Sequence, residues 1–430
     1  MALGGNLTVQ SGGELHDVGT LSAGDVTVAA GGLIASERVS SLLARDVSVS
    51  GTVTANIVSG RVANLTVAAG GAISANGLGF PGVVGGSGTG PGGGQGVDTG
   101  GGGGSHAGLG GVAGNGTLVG SIYGTASMPT TPGSSGGGEL MPSVAGGAGG
   151  GVLKLFVRNA LVVDGAITAN GAAGAAEPSN APGGGAGGSV WLFASNVTGS
   201  GVIAANGGAG GLSGDGGGGG GGGYVALYYG ASAFAGMTTV APGQPGSTPN
   251  NGTPAAGATG SLYVSQAGVG CLLGTCFQRV FATSTTRAGN FGSASAANAA
   301  CTSLAMAQGL SGTWRAIVST SVNDASTAVT AGLPWFNFAG DALSAGGTGA
   351  PWGQVLAAPV RYTERLSDVT GGVESVWTGT ATTGAASAST CGDWAGSGLG
   401  TYGSATATTA WLSAATDVCS ARYRLYCVEQ

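Results

Sequence analysis

Leu7-Thr-Val9 with Gly12-Gly13, Val26-Thr-Val28 with Gly31-Gly32, Val47-Ser-Val49 with Gly51, and Leu65-Thr-Val67 with Gly70-Gly71 are four renderings of one phrase. Their starts fall 19, 21 and 18 residues apart. Apolar residues alternating with small polar ones read as strand, and the glycine pairs read as corners where φ can be positive. A repeat of about 20 residues holding two or three short strands is the size of one coil of a parallel β-helix, in which each coil buries its apolar face only against its neighbours. The expectation is mainly β structure, with a glycine-rich parallel β-helix, or solenoid, as its N-terminal part.

A longer repeat follows. Val152-Leu-Lys-Leu-Phe156, Val190-Trp-Leu-Phe193, Tyr224-Val-Ala-Leu-Tyr228 and Leu262-Tyr-Val264 are apolar strands spaced by 34 to 38 residues, each preceded by Gly or Gly-Ser. Between them lie Ile167-Thr-Ala-Asn-Gly171 and Ile203-Ala-Ala-Asn-Gly207, and the same phrase occurs earlier as Ile73-Ser-Ala-Asn-Gly77. That shared phrase ties the long repeat to the short one. One solenoid is expected to run through both: short coils over 1–80, a glycine-rich insertion over 81–148, and coils with glycine-rich loops and a repeat of about 36 residues over 149–268.

The glycine loops are Gly82 to Gly116, Gly133 to Gly151, Gly183 to Gly188 and Gly207 to Gly223. By composition alone they could be flexible linkers. Their return at one phase of the repeat favours another arrangement, in which extended, polyproline-II-like glycine segments lie side by side and hydrogen-bond, since no Cβ keeps their backbones apart. No Gly-Lys-Ser/Thr follows a run, so a phosphate cradle is not expected. His16 and His106 lie far apart with no cysteine in their half, which is a poor basis for zinc.

Composition changes abruptly near residue 270. Before it lies one tryptophan, Trp191, and after it all six cysteines and the other six tryptophans, so two structural units are expected. Charged residues are 7% of the chain against a usual value of about 25%. With a net charge of −6 and no basic run, nucleic acid is an unsuitable partner. No apolar stretch reaches the roughly 18 residues that span a bilayer, so no transmembrane segment is expected. Leu7 onward is already in repeat register, which suggests a start part way through a longer protein.

Residues 269–430 read as an independent α+β domain. Gln278–Thr283, Thr313–Val318, Val376-Trp377 and Arg422–Val428 have strand character, whereas Ser295–Gln308 carries a helical stripe of Ala297, Cys301, Leu304 and Ala305, stopped by Gly309. Six cysteines allow 15 pairings. The domain has no histidine, so a Ser-His-Asp or Cys-His constellation cannot form within it. Its carboxylates Asp324, Asp341, Glu364, Asp368, Glu374, Asp393, Asp417 and Glu429 are attributed mostly to solvated loops.

Cys391, Cys419 and Cys427, a helix carrying Cys301, and the ending Leu425-Tyr-Cys-Val-Glu429 resemble the C-type-lectin-like fold. Arg279-Val-Phe-Ala-Thr-Ser-Thr285, Gly289-Asn290, Leu310-Ser-Gly-Thr-Trp314, Val376-Trp-Thr-Gly379 and Cys391-Gly-Asp-Trp394 more closely resemble the bacterial endostatin-like domain of leptospiral outer-membrane lipoproteins and other surface proteins. The N-terminal part similarly resembles glycine-rich parallel β-helix surface proteins. The resemblance implies disulfides Cys301–Cys427 and Cys391–Cys419, leaving Cys271 with Cys276, and an oxidising compartment, extracellular or at a bacterial cell surface. C-type lectins that bind sugar through calcium resemble one another in a proline triplet and a Trp-Asn-Asp. Here Trp411 is followed by Leu412 and Ser413, and no such triplet precedes it, so neither calcium nor another cofactor is expected.

Trp335, Trp352, Trp394 and Trp411 are the candidate ligand-binding residues. Trp335 and Trp352 flank the Gly/Ala-rich loop 341–350 and are expected to be exposed, Trp314 and Trp377 to be buried. The leading function is a non-enzymatic surface adhesin or fibre-tip binding protein whose stalk presents a lectin-like domain to an extracellular protein or glycan. One alternative is a structural matrix or appendage protein self-associating through its glycine loops. Another, disfavoured because the stalk's acids scatter over different coil phases, is a β-helical polysaccharide-degrading enzyme.

The repeat places Ile73, Ile167 and Ile203 at one inward position. Ile203→Asp should therefore cost several kcal/mol by burying an unpaired charge in an apolar column, read as a lowered melting midpoint. A variant melting with the parent would show the register to be wrong.

Overall fold

The computed structural model describes residues 1–430 except 40, 97–99, 115, 117, 140–143, 177–180, 213, 247–251, 268–274, 311, 330–332 and 345–349. The chain divides into two compact units, one of residues 1–228 with 232–264, the other of 229–231 with 265–430.

The first unit is mainly parallel β structure, and its register follows the sequence phrases. Leu7, Thr8 and Val9 pair with Val26, Thr27 and Val28; these pair with Val47, Ser48 and Val49, and these with Leu65, Thr66 and Val67. The last three then pair with Leu161, Val162 and Val163, across the whole insertion. In a second column Ile34 pairs with Val53, Val53 with Ile73, Ile73 with Ile167 and Ile167 with Ile203. Ile73, Ile167 and Ile203 are all buried, as the repeat requires. The strands wrap about these columns until the sheet is nearly closed on itself. In the later strands the core becomes aromatic, with Phe156 on Phe193 at 5.1 Å between ring centroids and Phe193 on Tyr228 at 5.2 Å.

One polar ladder runs beside the apolar ones. The side-chain oxygen of Asn76 accepts from the Asn170 backbone N–H, that of Asn170 from Asn206, and that of Asn206 from Ala241, each at 2.7 Å. The Asn of the Ile-x-Ala-Asn-Gly phrase thus links successive repeats where the strand ends.

The glycine runs lie side by side, as extended segments buried for most of their length and outside any strand ladder. Their hydrogen bonds have a three-residue period. Gly183 and Ala186 donate to Gly137 and Ser134, Gly184 and Gly187 to Gly218 and Gly221, and Gly185 and Gly188 to Ala172 and Ala169. The next run behaves alike: Gly218 and Gly221 donate to Gly101 and Gly104, Gly219 and Gly222 to Ala255 and Ala258, and Gly220 and Gly223 to Gly208 and Ala205. An extended backbone with three residues per turn aims successive N–H groups at three different neighbours. Segments this close leave no room for a side chain: a Cβ on Gly220 would collide with the Gly185 carbonyl oxygen and carbon.

The second unit is a mixed sheet with two disulfides. Its final strand, Arg422–Glu429, runs antiparallel to Thr275–Ala282 and Trp314–Ala316 and parallel to Ser375–Trp377. Trp335–Asn337 extends the sheet by pairing parallel with 278–280. The helix Ala294–Met306 begins at Ser293, whose hydroxyl accepts from the Ala296 N–H, and buries Ala297, Cys301 and Ala305. Gly309, at φ +73°, lets the chain turn away at its end. Cys301–Cys427 joins this helix to the final strand and Cys391–Cys419 links two loops, both pairs as the resemblance implied. Closing a loop of 126 residues contributes about 4–5 kcal/mol by chain entropy. The pairing of Cys271 with Cys276 falls outside the described residues.

Two carboxylates expected in solvent are buried instead. Glu429 receives Arg279 in a two-bond fork, Nε to Oε2 at 2.8 Å and Nη2 to Oε1 at 2.6 Å. Glu364 accepts from the Ser284 N–H and hydroxyl. The antiparallel pairing of Val280 with Val428 sets Arg279 opposite Glu429, an adjacency that residues 150 apart in sequence do not advertise.

Gly220→Ala should destabilise the first unit by about 1–3 kcal/mol or more, since the added methyl has no direction in which to relax. Gly5→Ala, where nothing lies within 4 Å, should be close to neutral. Denaturant midpoints compare the two, and equal midpoints would contradict the packed-run arrangement.

Candidate functional site

A small domain rich in Ala, Ser and Gly needs large side chains to fill its interior, and its tryptophans supply that volume. Trp314, Trp335, Trp377 and Trp394 are wholly inaccessible and Trp411 nearly so. The Trp335 Nε1–H donates to Gln278 Oε1 at 2.9 Å, and that of Trp394 to the Ser319 carbonyl at 2.8 Å. Trp394 also stacks on Phe291 at 4.8 Å between centroids. The expected exposure of Trp335 is thus corrected: a short strand paired with 278–280 carries it into the core. Trp394 and Trp411 are core residues too, while the expected burial of Trp314 and Trp377 is met.

Of the four candidate tryptophans, Trp352 alone reaches the surface. It packs from outside on the core, edge to face with Trp335 at 5.3 Å and stacked on Trp411 at 5.9 Å. Gly384 fits closely between Trp352 and Ser326, where an added Cβ would lie 2.9 Å and 2.7 Å from them. The 320–326 segment also presents Val322, 81% exposed, and beyond Trp352 lies Val355, 61% exposed. Trp352, with Ser326 across Gly384, marks a candidate recognition surface, and Val322 and Val355 are exposed on the chain segments that carry Ser326 and Trp352. Sequence reasoning found its tryptophan and missed its valines, since isolated exposed valines carry no pattern.

Three half-buried carboxylates of this unit are held ionised by hydrogen-bond donors. The Ser321 hydroxyl and N–H lower Asp393, the Thr406 hydroxyl lowers Glu374, and the Tyr423 hydroxyl lowers Asp417, each below the ordinary carboxylate range. They are equipped to accept hydrogen bonds, whereas general-acid work needs a carboxyl whose pKa is raised. Asp393 sits in an unusual turn, with Cys391, Gly392, Asp393 and Trp394 all at positive φ. The Cys391–Cys419 disulfide, the Ser321 bonds and the buried Trp394 ring fasten it.

The first unit has a cleft of about 270 Å³ lined by Arg38, Asn56, Val58, Leu78, Thr130, Pro132 and Val152. Nothing in the sequence pattern marked it, because its walls come from five separate stretches of chain. Asn56 is fully engaged there, accepting from the Val152 N–H at 2.7 Å and donating to the carbonyls of Glu37 and Leu78.

No family model matches the chain, and no curated protein matches it.

Trp394→Ala should cost the second unit about 3–5 kcal/mol, as truncation of a fully buried ring with a satisfied N–H does, and Trp352→Ala clearly less. Unfolding followed by Trp fluorescence ranks the two, and the reverse order would place Trp352 in the core.

Proposed function

We propose that this chain is an extracellular surface adhesin or fibre-tip binding protein. In this reading residues 1–268 form a parallel β-helical stalk and residues 269–430 a lectin-like, endostatin-like recognition domain for a protein or glycan. The observation that carries the proposal is Trp352: a partly exposed indole anchored on a rigid aromatic core, with exposed valines on the neighbouring chain segments, on a frame closed by two disulfides. A partly exposed, well-supported aromatic is the side chain on which interface energy concentrates. The disulfides favour an oxidising compartment, and among the described residues no helix is long and apolar enough to cross a membrane.

Coil-to-coil register supports the stalk, and a helix tied by disulfide to the final strand supports the lectin-like assignment. The reading of a matrix protein packing through its glycine loops is less well supported, because the central runs spend their donors on one another. The reading of a β-helical polysaccharide-degrading enzyme is less well supported still, because the acids of the first 268 residues scatter over different phases of the repeat.

Adhesion of the full chain to cells, matrix proteins and glycan arrays should fall about tenfold or more in Trp352→Ala and in Val355→Asp, with near-ultraviolet circular dichroism confirming the fold. Adhesion unchanged in both variants would remove this surface from the function. Adhesion by residues 1–268 alone would favour the packing reading.

A further inference from the structure

Residues 123–132 cross the outside of the first unit in no strand or helix, with Gly124 and Thr130 exposed. Side chains reach up from beneath and hold them. Tyr224 Oη donates to the Tyr123 carbonyl at 2.9 Å, Tyr228 Oη to the Ser127 carbonyl at 2.7 Å, and Ser189 Oγ to the Thr131 carbonyl at 2.6 Å. The Tyr123 N–H donates to the His106 carbonyl at 3.0 Å. At the centre sits the His106 ring, wholly inaccessible, 4.7 Å from the Tyr123 ring and 4.8 Å from that of Tyr224.

The bonding of this imidazole fixes its protonation. Nδ1 lies 2.8 Å from the Gly187 carbonyl, which can only accept, so Nδ1 carries the proton. Nε2, 2.9 Å from Thr131 Oγ1, is then the acceptor for that hydroxyl. A second proton on the ring would turn Nε2 into a donor, reverse the Thr131 bond and place a cation among glycine backbones. The titratable groups facing it are Tyr123 from the crossing segment and Tyr224 from the strand below; no carboxylate among the described residues acts on it.

We propose that residues 123–132 are an acid-released strap, latched by the neutral imidazole of His106, whose departure opens the cleft that Thr130 and Pro132 wall on one side. The strap is the cheapest part to move. It is tied mainly by side chains to single carbonyls, whereas the runs beneath it bond backbone to backbone in three directions. Lifting it hydrates the imidazolium without unpairing a strand and removes two of the seven residues that line the cleft.

Burial lowers the imidazole from its ordinary 6.5 to about 4. A folded-state pKa below the unfolded one means that the latch contributes its full stability above about 6.5 and loses it as pH falls toward about 4.

The test uses the full chain with ¹³Cε1-labelled histidine, titrated by NMR, beside hydrogen exchange read by mass spectrometry and corrected for intrinsic rate at each pH. His106 should titrate near 4, well below an ordinary imidazole. Peptides covering 123–132 should lose protection as His106 protonates, while those covering 152–163 keep theirs. His106→Gln, which has no proton to gain, should keep the strap protected through the same range. Three outcomes would overturn the proposal: His106 titrating near the ordinary 6.5, the strap staying protected once His106 is charged, or strap and strands losing protection together.

Discussion

Every third residue of a packed glycine run must send its N–H to the same neighbour, and in the first unit this requirement governs the rest. A buried amide left without a partner costs about 1–3 kcal/mol, so a run of seven such as 217–223 is stable only when three surrounding segments stand at the right phase. Each neighbour obeys the same rule. The 183–188 run donates to three segments and accepts from the 101–104, 147–150 and 208–211 segments, so six backbones fix its position. Glycine is what allows the approach, and glycine also loses the most conformational entropy on ordering. The bundle therefore needs an ordered frame on which to form.

That frame is the parallel sheet, and the two share one register. Gly151, Gly188, Gly223 and Gly260 end their runs and pass directly into strands, and the Ser189, Tyr224 and Ser261 N–H groups bond to the Gly151, Gly188 and Gly223 carbonyls. At the far side the Asn76, Asn170 and Asn206 ladder closes each coil before the chain enters the bundle again. Apolar columns hold the coils at strand spacing, and the runs continue from strand ends already held in place. The sheet thus bears much of the ordering cost that free glycine segments would face alone.

What could be read in the sequence follows from this division. The separation of the phrases is the spacing of the paired strands, so Leu7, Val26, Val47 and Leu65 announced their own pairing, and Ile73 and Ile167 announced theirs across an insertion. Glycines are interchangeable, and nothing in Gly101 to Gly104 says that their partners are Ala181, Gln95, Gly111 and Gly184. In the second unit the cysteine spacing, through the resemblance, gave two pairings, whereas tryptophan identity gave volume but not direction. The burial of Trp335 depends on Gln278, 57 residues away, and on a three-residue strand too short to show alternation. The surface at Trp352 was therefore half legible: the residue type suggested recognition, and only the packing separated one exposed ring from its buried companions.

The three-residue phase also limits how such a chain can vary. Inserting one residue between Gly185 and Ala186 would rotate all later donors by a third of a turn, turning Gly187 from Gly221 toward the segment that Gly188 now uses. Three added residues restore the phase and lengthen the run by one turn, provided the neighbours lengthen too. Changes of length within a run therefore come in threes, and large aliphatic side chains on these segments are kept to outer positions. Leu109 and Leu118, both largely exposed, occupy such outer positions, and the inner run from Gly217 to Gly223 has no side chain at all.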